Sequence, residues 1–461
     1  MALPPSDRST AVLVAVQLPD VTDVEHAADL AELRRLVETL GYDVVATVSQ
    51  KRDTLARAAI LGEGKLLELA AITGGTGVVP SGAAPKKDKA RLRRQEGEAQ
   101  ACPAGDEPPT APVLSGDSPP AGVVVVDHEI TPSQMRNLER ATGAEVFDRT
   151  GVIVEIFHRH AKSREARLEV ELARLSYIAP RLREAGGGGD RQRGGIGGKG
   201  AGESALELDR RRIRDRVARL REELTAIQRD NDERRAHRRE QRRAALVGYT
   251  NAGKSSLMRG LTGSEVLVAD KLFATLDTTV RALQPETKPR VLVSDTVGFI
   301  KKLPHDLVAS FRSTLNEARE ASLLLLVADA SDPTFRTQLE VVRTVLGEIG
   351  ADSVPRWLLL NKIDRLNAVA RDALARELPE ATLICAKSPL DVARLRDAIV
   401  RFFDRSLVEG ELIVPYVQQH LVGEVHAATR VLSETYDEEG SRLRVLADSA
   451  VLARLRDLVG R

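Results

Sequence analysis

The stretch Gly248 to Ser255 reads GYTNAGKS, the spacing G-x-x-x-x-G-K-[ST] of a phosphate-binding loop. Gly248 and Gly253 let the main chain of Tyr249, Thr250, Asn251 and Ala252 wrap a phosphate with N–H groups, and a helix beginning there adds a favourable dipole. Lys254 would sit between β- and γ-phosphates, the Ser255 hydroxyl would ligate Mg²⁺, and Ser256 completes the set. Three further motifs follow in the order a GTP-binding protein requires. In DTVG, Asp295 can hold Mg²⁺ through water and Gly298 can give its N–H to the γ-phosphate. In NKID, Asn361 precedes Lys362, which can lie along a base, and Asp364, which can accept from N1–H and the 2-amino group of guanine. Adenine offers neither donor there, so the pocket selects GTP over ATP. In CAK, the Cys385, Ala386 and Lys387 backbone can meet guanine O6. Between the first two motifs, FATLDTTVR carries threonines able to close over the metal. Thr279 is taken as the ligand rather than Thr278.

One position lacks the expected chemistry. Many such proteins follow the DxxG glycine with a glutamine that orients the attacking water. Here Phe299 can neither donate nor accept a hydrogen bond. A slow basal turnover is expected, on the order of 10⁻⁴ per second, with the missing help arriving from a partner.

These motifs need strands that end at one edge and helices that start there. From Arg243 onward the apolar runs AALVG, RVLVSD, LLLLVAD, WLLLNK and TLICAK alternate with helical stretches, predicting a parallel sheet covered on both faces over 243–405. Residues 406–461 read as a small α+β domain with a DEEG hairpin turn. Upstream, AVLVAVQL, a helical pattern from Ala27 to Leu40 and VVVVDHE predict an N-terminal α/β domain over 1–158. Within it, 74–121 is rich in Pro, Gly, Ala and charge and is expected to be a disordered insertion. Over 159–242, Leu168, Leu172, Leu175, Ala179 and Leu182, then Ile213, Val217, Leu220, Leu224 and Ile227, recur at alternating spacings of four and three. That is the seam of an antiparallel coiled-coil hairpin around a glycine-rich loop, 186–202, with Pro180 kinking or ending the first helix.

The 461 residues exceed one domain, and their 42% hydrophobic content can fill several cores. The net charge of +1 conceals fourteen arginines against seven acidic residues between Arg210 and Arg243. Two cysteines imply neither a disulfide framework nor a metal cluster. The absence of a signal peptide or a membrane-spanning run leads us to expect a soluble cytoplasmic protein, and nothing marks it as other than a monomer.

FATLD, DTVGFIKKLPHDLVASFRSTLNEA, VADASDP and GYTNAGKSS closely resemble the G domain of HflX-type GTPases. LGEGKLLEL, TPSQMRNLE, residues 148–173 and GGIGGKGAGESALELDRRRI are similar to that family's N-terminal domain and helical hairpin, and VLSETYDEEGSRL to its C-terminal part. Thr278 stands where the family usually has Pro, Lys199 and Ala201 replace the customary Arg and Pro, and Cys385 replaces Ser. The resemblance implies GTP hydrolysis to GDP, stimulated by the large ribosomal subunit, in splitting or rescue of stalled ribosomes or in subunit maturation. It also implies a glycine loop that reaches towards the peptidyl transferase region. Independently, a basic helix suits an RNA backbone, and Arg191, Arg193, Gly194, Gly195, Gly197, Lys199 and Gly200 would let main chain approach folded RNA closely. A solvated helix face pairing with Glu222 and Glu223 is the plainer reading of the arginines. Asn251 sits where related GTPases hold K⁺ with an asparagine, or else it braces the loop by hydrogen bonds. Two other functions remain open: an ATP-driven RNA remodeller using LGEGK in the N-terminal domain, and a non-catalytic adaptor switched by GTP.

Overall fold

The computed structural model describes residues 9–56, 58–79, 120–185, 205–236, 242–263, 272–273, 279–301 and 317–459. The chain divides into two compact units, Met1–Ile156 with Tyr177–Arg210, and Phe157–Ser176 with Arg211–Arg461. In the first unit, strands β1 (Thr10–Gln17), β2 (Asp43–Lys51), β3 (Val123–Val126) and β4 (Glu145–Asp148) form a parallel sheet in the order β2-β1-β3-β4. Helices α1 (Asp23–Leu40), α2 (Glu63–Thr73) and α3 (Pro132–Thr142) connect the strands. Both α1 and α3 open on capping boxes, Thr22 with Glu25 and Thr131 with Gln134, the latter with Pro at the first turn. Arg149, the first residue of α4 (Arg149–His160), is buried and donates to Asp127 at 2.7 Å and to Glu32, so the charge carries its own counter-ions inside.

The edges of the expected insertion belong to the fold. Residues 74–79 are ordered against α3: the Gly77 N–H donates to Ala141 O at 2.9 Å, and a Cβ on Gly75 would fall 2.3 Å from that same carbonyl. The glycines were therefore misread as signs of looseness when they permit close approach. Ala121 is buried, its N–H on Ile72 O. Residues 80–119 lie outside the described residues.

Helix α5 (Arg164–Ala185) and helix α6 (Ala205–Ala236) follow. As numbering rises along one it falls along the other, with Arg164 facing Glu223 and Glu171 facing Arg216, so the pair is antiparallel. Leu168, Leu172 and Leu220 are buried in the seam, flanked by Leu175, Val217, Leu224 and Ile227. Pro180 does not end its helix, which continues to Ala185. Proline removes one N–H donor from the ladder. Around it, Arg181 donates to Tyr177 O at 2.7 Å, and the Arg181 and Tyr177 side chains both hold Asp148, at 2.6 and 2.7 Å, bracing the helix on both sides of the proline.

The second unit carries a six-stranded sheet, β10-β9-β8-β5-β7-β6. Its members are β5 (Arg242–Gly248), β6 (Thr279–Ala282), β7 (Val291–Asp295), β8 (Leu323–Asp329), β9 (Arg356–Asn361) and β10 (Thr382–Leu383). All pair in parallel except β6, which lies antiparallel at the edge against β7. Strand β5 is buried along its whole length, as a central parallel strand must be. Helices α7 (Lys254–Thr262), α8 (Phe335–Glu348), α9 (Ala368–Glu377) and α10 (Pro389–Asp404) belong to this part. A three-stranded antiparallel sheet, β11 (Val408–Val414), β13 (Ser441–Ala447) and β12 (Arg430–Tyr436), follows with helices α11 (His420–Ala428) and α12 (Ser449–Val459). Its β12–β13 turn is tied by Asp437, which accepts from Glu439 and Gly440 N–H groups. Arg242 and Arg243 leave the basic stripe read from sequence. Both are buried, Arg242 bonded to Asp448 at 3.1 Å and Arg243 beside Glu317 and Glu320. No helix among the described residues is long and apolar enough to cross a membrane.

Candidate nucleotide site

The loop from Gly248 to Gly253 joins the end of β5 to the start of α7. A Cβ on Gly248 would fall 2.1 Å from Val327 O, and Gly253, at φ +96°, would place one 2.2 Å from Asn361 Nδ2. Side chains are thus excluded where the loop passes β8 and β9. Asn251 also takes a positive φ of 60°, which asparagine tolerates. No side chain caps α7, so its first N–H groups remain directed at the loop. Lys254 is buried beneath that loop and donates to Gly248 O at 3.0 Å and Tyr249 O at 2.8 Å. Burial pushes its ammonium down to about 8, with Asp295 pulling the other way.

Asp295, fully buried at the end of β7, accepts from Ser255 Oγ at 2.8 Å. Thr279 opens β6 directly opposite Asp295 in the antiparallel register. Directly opposed residues share a face of the sheet, with Cβ atoms about 5 Å apart. The following turn is sewn to the loop by main chain. Thr296 donates through both N and Oγ1 to Leu246 O, Phe299 N donates to Gly248 O at 3.1 Å, and Thr250 N to Phe299 O at 2.7 Å. The Tyr249 hydroxyl accepts from Lys301 N at 2.6 Å. Gly298 is packed so closely that an added Cβ would meet Thr250 Cα at 2.9 Å and Lys254 Nζ at 3.0 Å. The Phe299 side chain is only 2% exposed.

Asn361, at the end of β9, joins two loops. Its Nδ2 donates to Ala252 O at 2.8 Å, and its Oδ1 accepts from Ala386 N at 2.9 Å. Lys362 has φ +63° and reaches Asp329 at 2.8 Å. Asp364 is exposed, and a hydrogen bond from the Cys385 side chain holds its carboxyl below the usual carboxylate range. The Cys385 N–H donates to Asp391 Oδ2 at 3.0 Å, in the first turn of α10. Ala386 and Lys387 line a groove of about 420 Å³ with Gly260, Pro389 and Val392.

The motifs that are far apart in sequence thus meet at one edge of the sheet. The nucleotide motifs themselves do not include Asp329 or Asp391. Asp329 ends LLLLVAD, and Asp391 is the third residue after a Ser-Pro helix start, so both carried a positional signal. Thr278 and the whole glycine loop, Arg191, Arg193, Gly194, Gly195, Gly197, Lys199 and Gly200 included, lie outside the described residues. Among the described residues no three His, Cys, Asp or Glu form a group able to hold a metal by themselves.

The central β5, its glycine loop, the helix that follows and the four ordered motifs define a P-loop GTPase. Residues 243–362 match the family described as 50S ribosome-binding GTPase, 160–238 the GTP-binding GTPase middle region, and 27–79 with 116–158 the GTP-binding GTPase N-terminal region. The chain is 64% identical over 446 residues to GTPase HflX of Gluconacetobacter diazotrophicus, covering 97% of each chain. It is 34% identical over 437 residues to GTPase HflX of Escherichia coli, covering 94% and 91%. The chain belongs to the HflX family of GTPases, and it is a GTP hydrolase. A solved GTP-binding protein from Sulfolobus solfataricus in complex with GDP is 23% identical at a TM-score of 0.42, covering 85% of this chain and 98% of that one.

Proposed function

We propose that this GTPase acts on the large ribosomal subunit, docking through the hairpin and its glycine loop, and that docking accelerates hydrolysis. The reading extends to splitting or rescue of stalled ribosomes or subunit maturation in the cytoplasm, with the protein working as a monomer. The observation that carries it is the division of labour in the hairpin. Its leucines turn inward while Arg214, Arg219, Arg221 and Arg229 stay exposed. Such a face meets phosphate backbone by counterion release. Arg191, Arg193, Gly194, Gly195, Gly197, Lys199 and Gly200 would contact RNA beyond it.

The nucleotide is held by Gly248 to Ser256, Gly298, Asn361, Lys362, Asp364 and Cys385 to Lys387. The donor set fits Mg²⁺: the Ser255 hydroxyl and the buried Asp295 carboxylate already touch, and Thr279 stands directly opposite Asp295 in the ladder. When bound, the metal offsets phosphate charge. Asn251, at the loop's tip, is the residue through which K⁺ would act.

The test is GTP turnover by the full chain, alone and with purified large subunits, and again after shortening 186–202. Stimulation that disappears on shortening is the expected result. Turnover indifferent to subunits would overturn the ribosomal reading and leave the GTPase intact.

A further inference from the structure

We propose that the Thr250 hydroxyl orients the water that attacks the γ-phosphate, in place of the side chain that Phe299 lacks. Thr250 is 7% exposed, and its Oγ1 is buried with no hydrogen-bond partner among the described residues. Buried hydroxyls are seldom left in that state, and a bound ligand or water is the usual completion.

The position of this hydroxyl gives the proposal its content. A Cβ built on Gly298 would lie 2.9 Å from both Thr250 Cα and Cγ2 and 3.0 Å from Lys254 Nζ. Thr250, Gly298 and the Lys254 ammonium therefore converge where the terminal phosphate is read. The Thr250 N–H also holds Phe299 O at 2.7 Å, and the neighbouring Tyr249 bridges Phe299 in parallel. Thr250 is thus laced directly to the position a glutamine would occupy, while the ring at that position is turned into the core.

A hydroxyl has one donor and two acceptor sites. Thr250 donates to a γ-phosphoryl oxygen and accepts one hydrogen of the water, aiming a water lone pair at phosphorus. The water oxygen bonds to the γ-phosphorus, and the bond to the β–γ bridging oxygen breaks with its electron pair leaving on GDP. The water's proton ends on the released phosphate, and Thr250 neither gains nor loses one. The role rests on the reading of Gly248 to Ser255 as the phosphate loop.

The test uses the full chain without ribosomes. Thr250→Val keeps the shape and removes the hydroxyl, whereas Thr250→Ser keeps the hydroxyl and removes the methyl. Single-turnover GTP hydrolysis, GDP affinity and affinity for GDP with aluminium fluoride are measured for each. The Val variant is expected to hydrolyse roughly tenfold or more slowly and to bind the fluoride complex poorly, with GDP affinity within about threefold. The Ser variant should keep all three. Wild-type hydrolysis in the Val variant would overturn the proposal. So would loss in both variants, which would show that the hydroxyl by itself does not carry the role, or loss of GDP affinity in the Val variant, which would make the hydroxyl a loop brace. Failure of the wild-type chain to bind GDP would instead sink the phosphate-loop reading.

Discussion

Asn361→Ala is the perturbation whose cost can be worked most directly from the structure. The side chain is 1% exposed and spends both its ends on main chain: Nδ2 on Ala252 O at 2.8 Å, Oδ1 on Ala386 N at 2.9 Å. Alanine removes both bonds and leaves a carbonyl and an N–H behind. A stranded buried polar group costs about 1–3 kcal/mol, so the two together should cost roughly 2–6 kcal/mol if little water enters. That free energy joins the phosphate loop to the guanine-reading loop. Its loss should lower nucleotide affinity about 30-fold or more, since each 1.4 kcal/mol is a factor of about ten. Asn361→Asp sharpens the test. It keeps the acceptor for Ala386 but sets an oxygen against the Ala252 carbonyl, so it should be at least as harmful as alanine. GDP titration and urea unfolding of the full chain would read both effects. An alanine variant binding GDP within about threefold of wild type, with an unchanged unfolding midpoint, would refute the reasoning.

Three other expectations follow from neighbouring contacts. Lys254 sits at about 8 when folded against an ordinary 10.5, so between those values the unfolded chain holds more protons. The full cost of burying the charge is therefore present below about 8, and stability from this site rises as pH climbs towards 10.5. Urea midpoints of wild type relative to Lys254→Met should diverge upward over that window, and GDP affinity should fall by up to about tenfold per pH unit above 8, because binding must then take up a proton. A flat difference would show that the lysine stays charged. Asp391→Ala frees the Cys385 N–H and should speed GDP release several-fold, at a cost of about 1 kcal/mol in stability, read by stopped-flow displacement. Thr279→Ala should raise the Mg²⁺ concentration needed for half-maximal GTP turnover, and an unchanged requirement would confine Thr279 to its place in the β6–β7 ladder.

The conformation of the Gly248–Gly253 loop was legible because its constraints are local and steric. A glycine at Gly248 or Gly253 is demanded by a carbonyl or amide little more than 2 Å from where a Cβ would sit, and such demands leave fixed spacings in a sequence. The central strands were legible for the same kind of reason, since a strand buried on both faces must be continuously apolar. What failed was whatever depended on distant partners. Pro180 reads as a kink or an end of its helix, and the end is ruled out only once the helix is seen running on to Ala185, where Arg181 and Tyr177 hold Asp148. Arg242 and Arg243 read as part of a basic surface until Asp448, Glu317 and Glu320 appear around them. β6 is a four-residue strand, three residues half-buried and Arg281 exposed, with no pattern of its own, recognisable only through its pairing with β7. Nothing in the order of letters shows that Gly75 lies against Ala141.

At position 299 a buried phenyl ring stands where many GTPases carry the glutamine that orients water. The main chain there is fixed on both sides, Phe299 N to Gly248 O and Thr250 N to Phe299 O, which extends the β5 pairing one step beyond the sheet. A glutamine in that place would have to leave its amide in water and let go of the core, or bury it at a cost of about 1–3 kcal/mol. The phenyl ring does neither, and its burial anchors the turn that follows β7. The anchor in turn presses Gly298 against Thr250 and Lys254, bringing a hydroxyl to the phosphate end of the loop. On the role proposed for Thr250, a side chain free to swing in and orient water is replaced here by a fixed backbone and a buried hydroxyl. If docking on the large subunit accelerates hydrolysis, as proposed above, a ribosomal surface that reorders this turn would control the rate without contributing a residue to it.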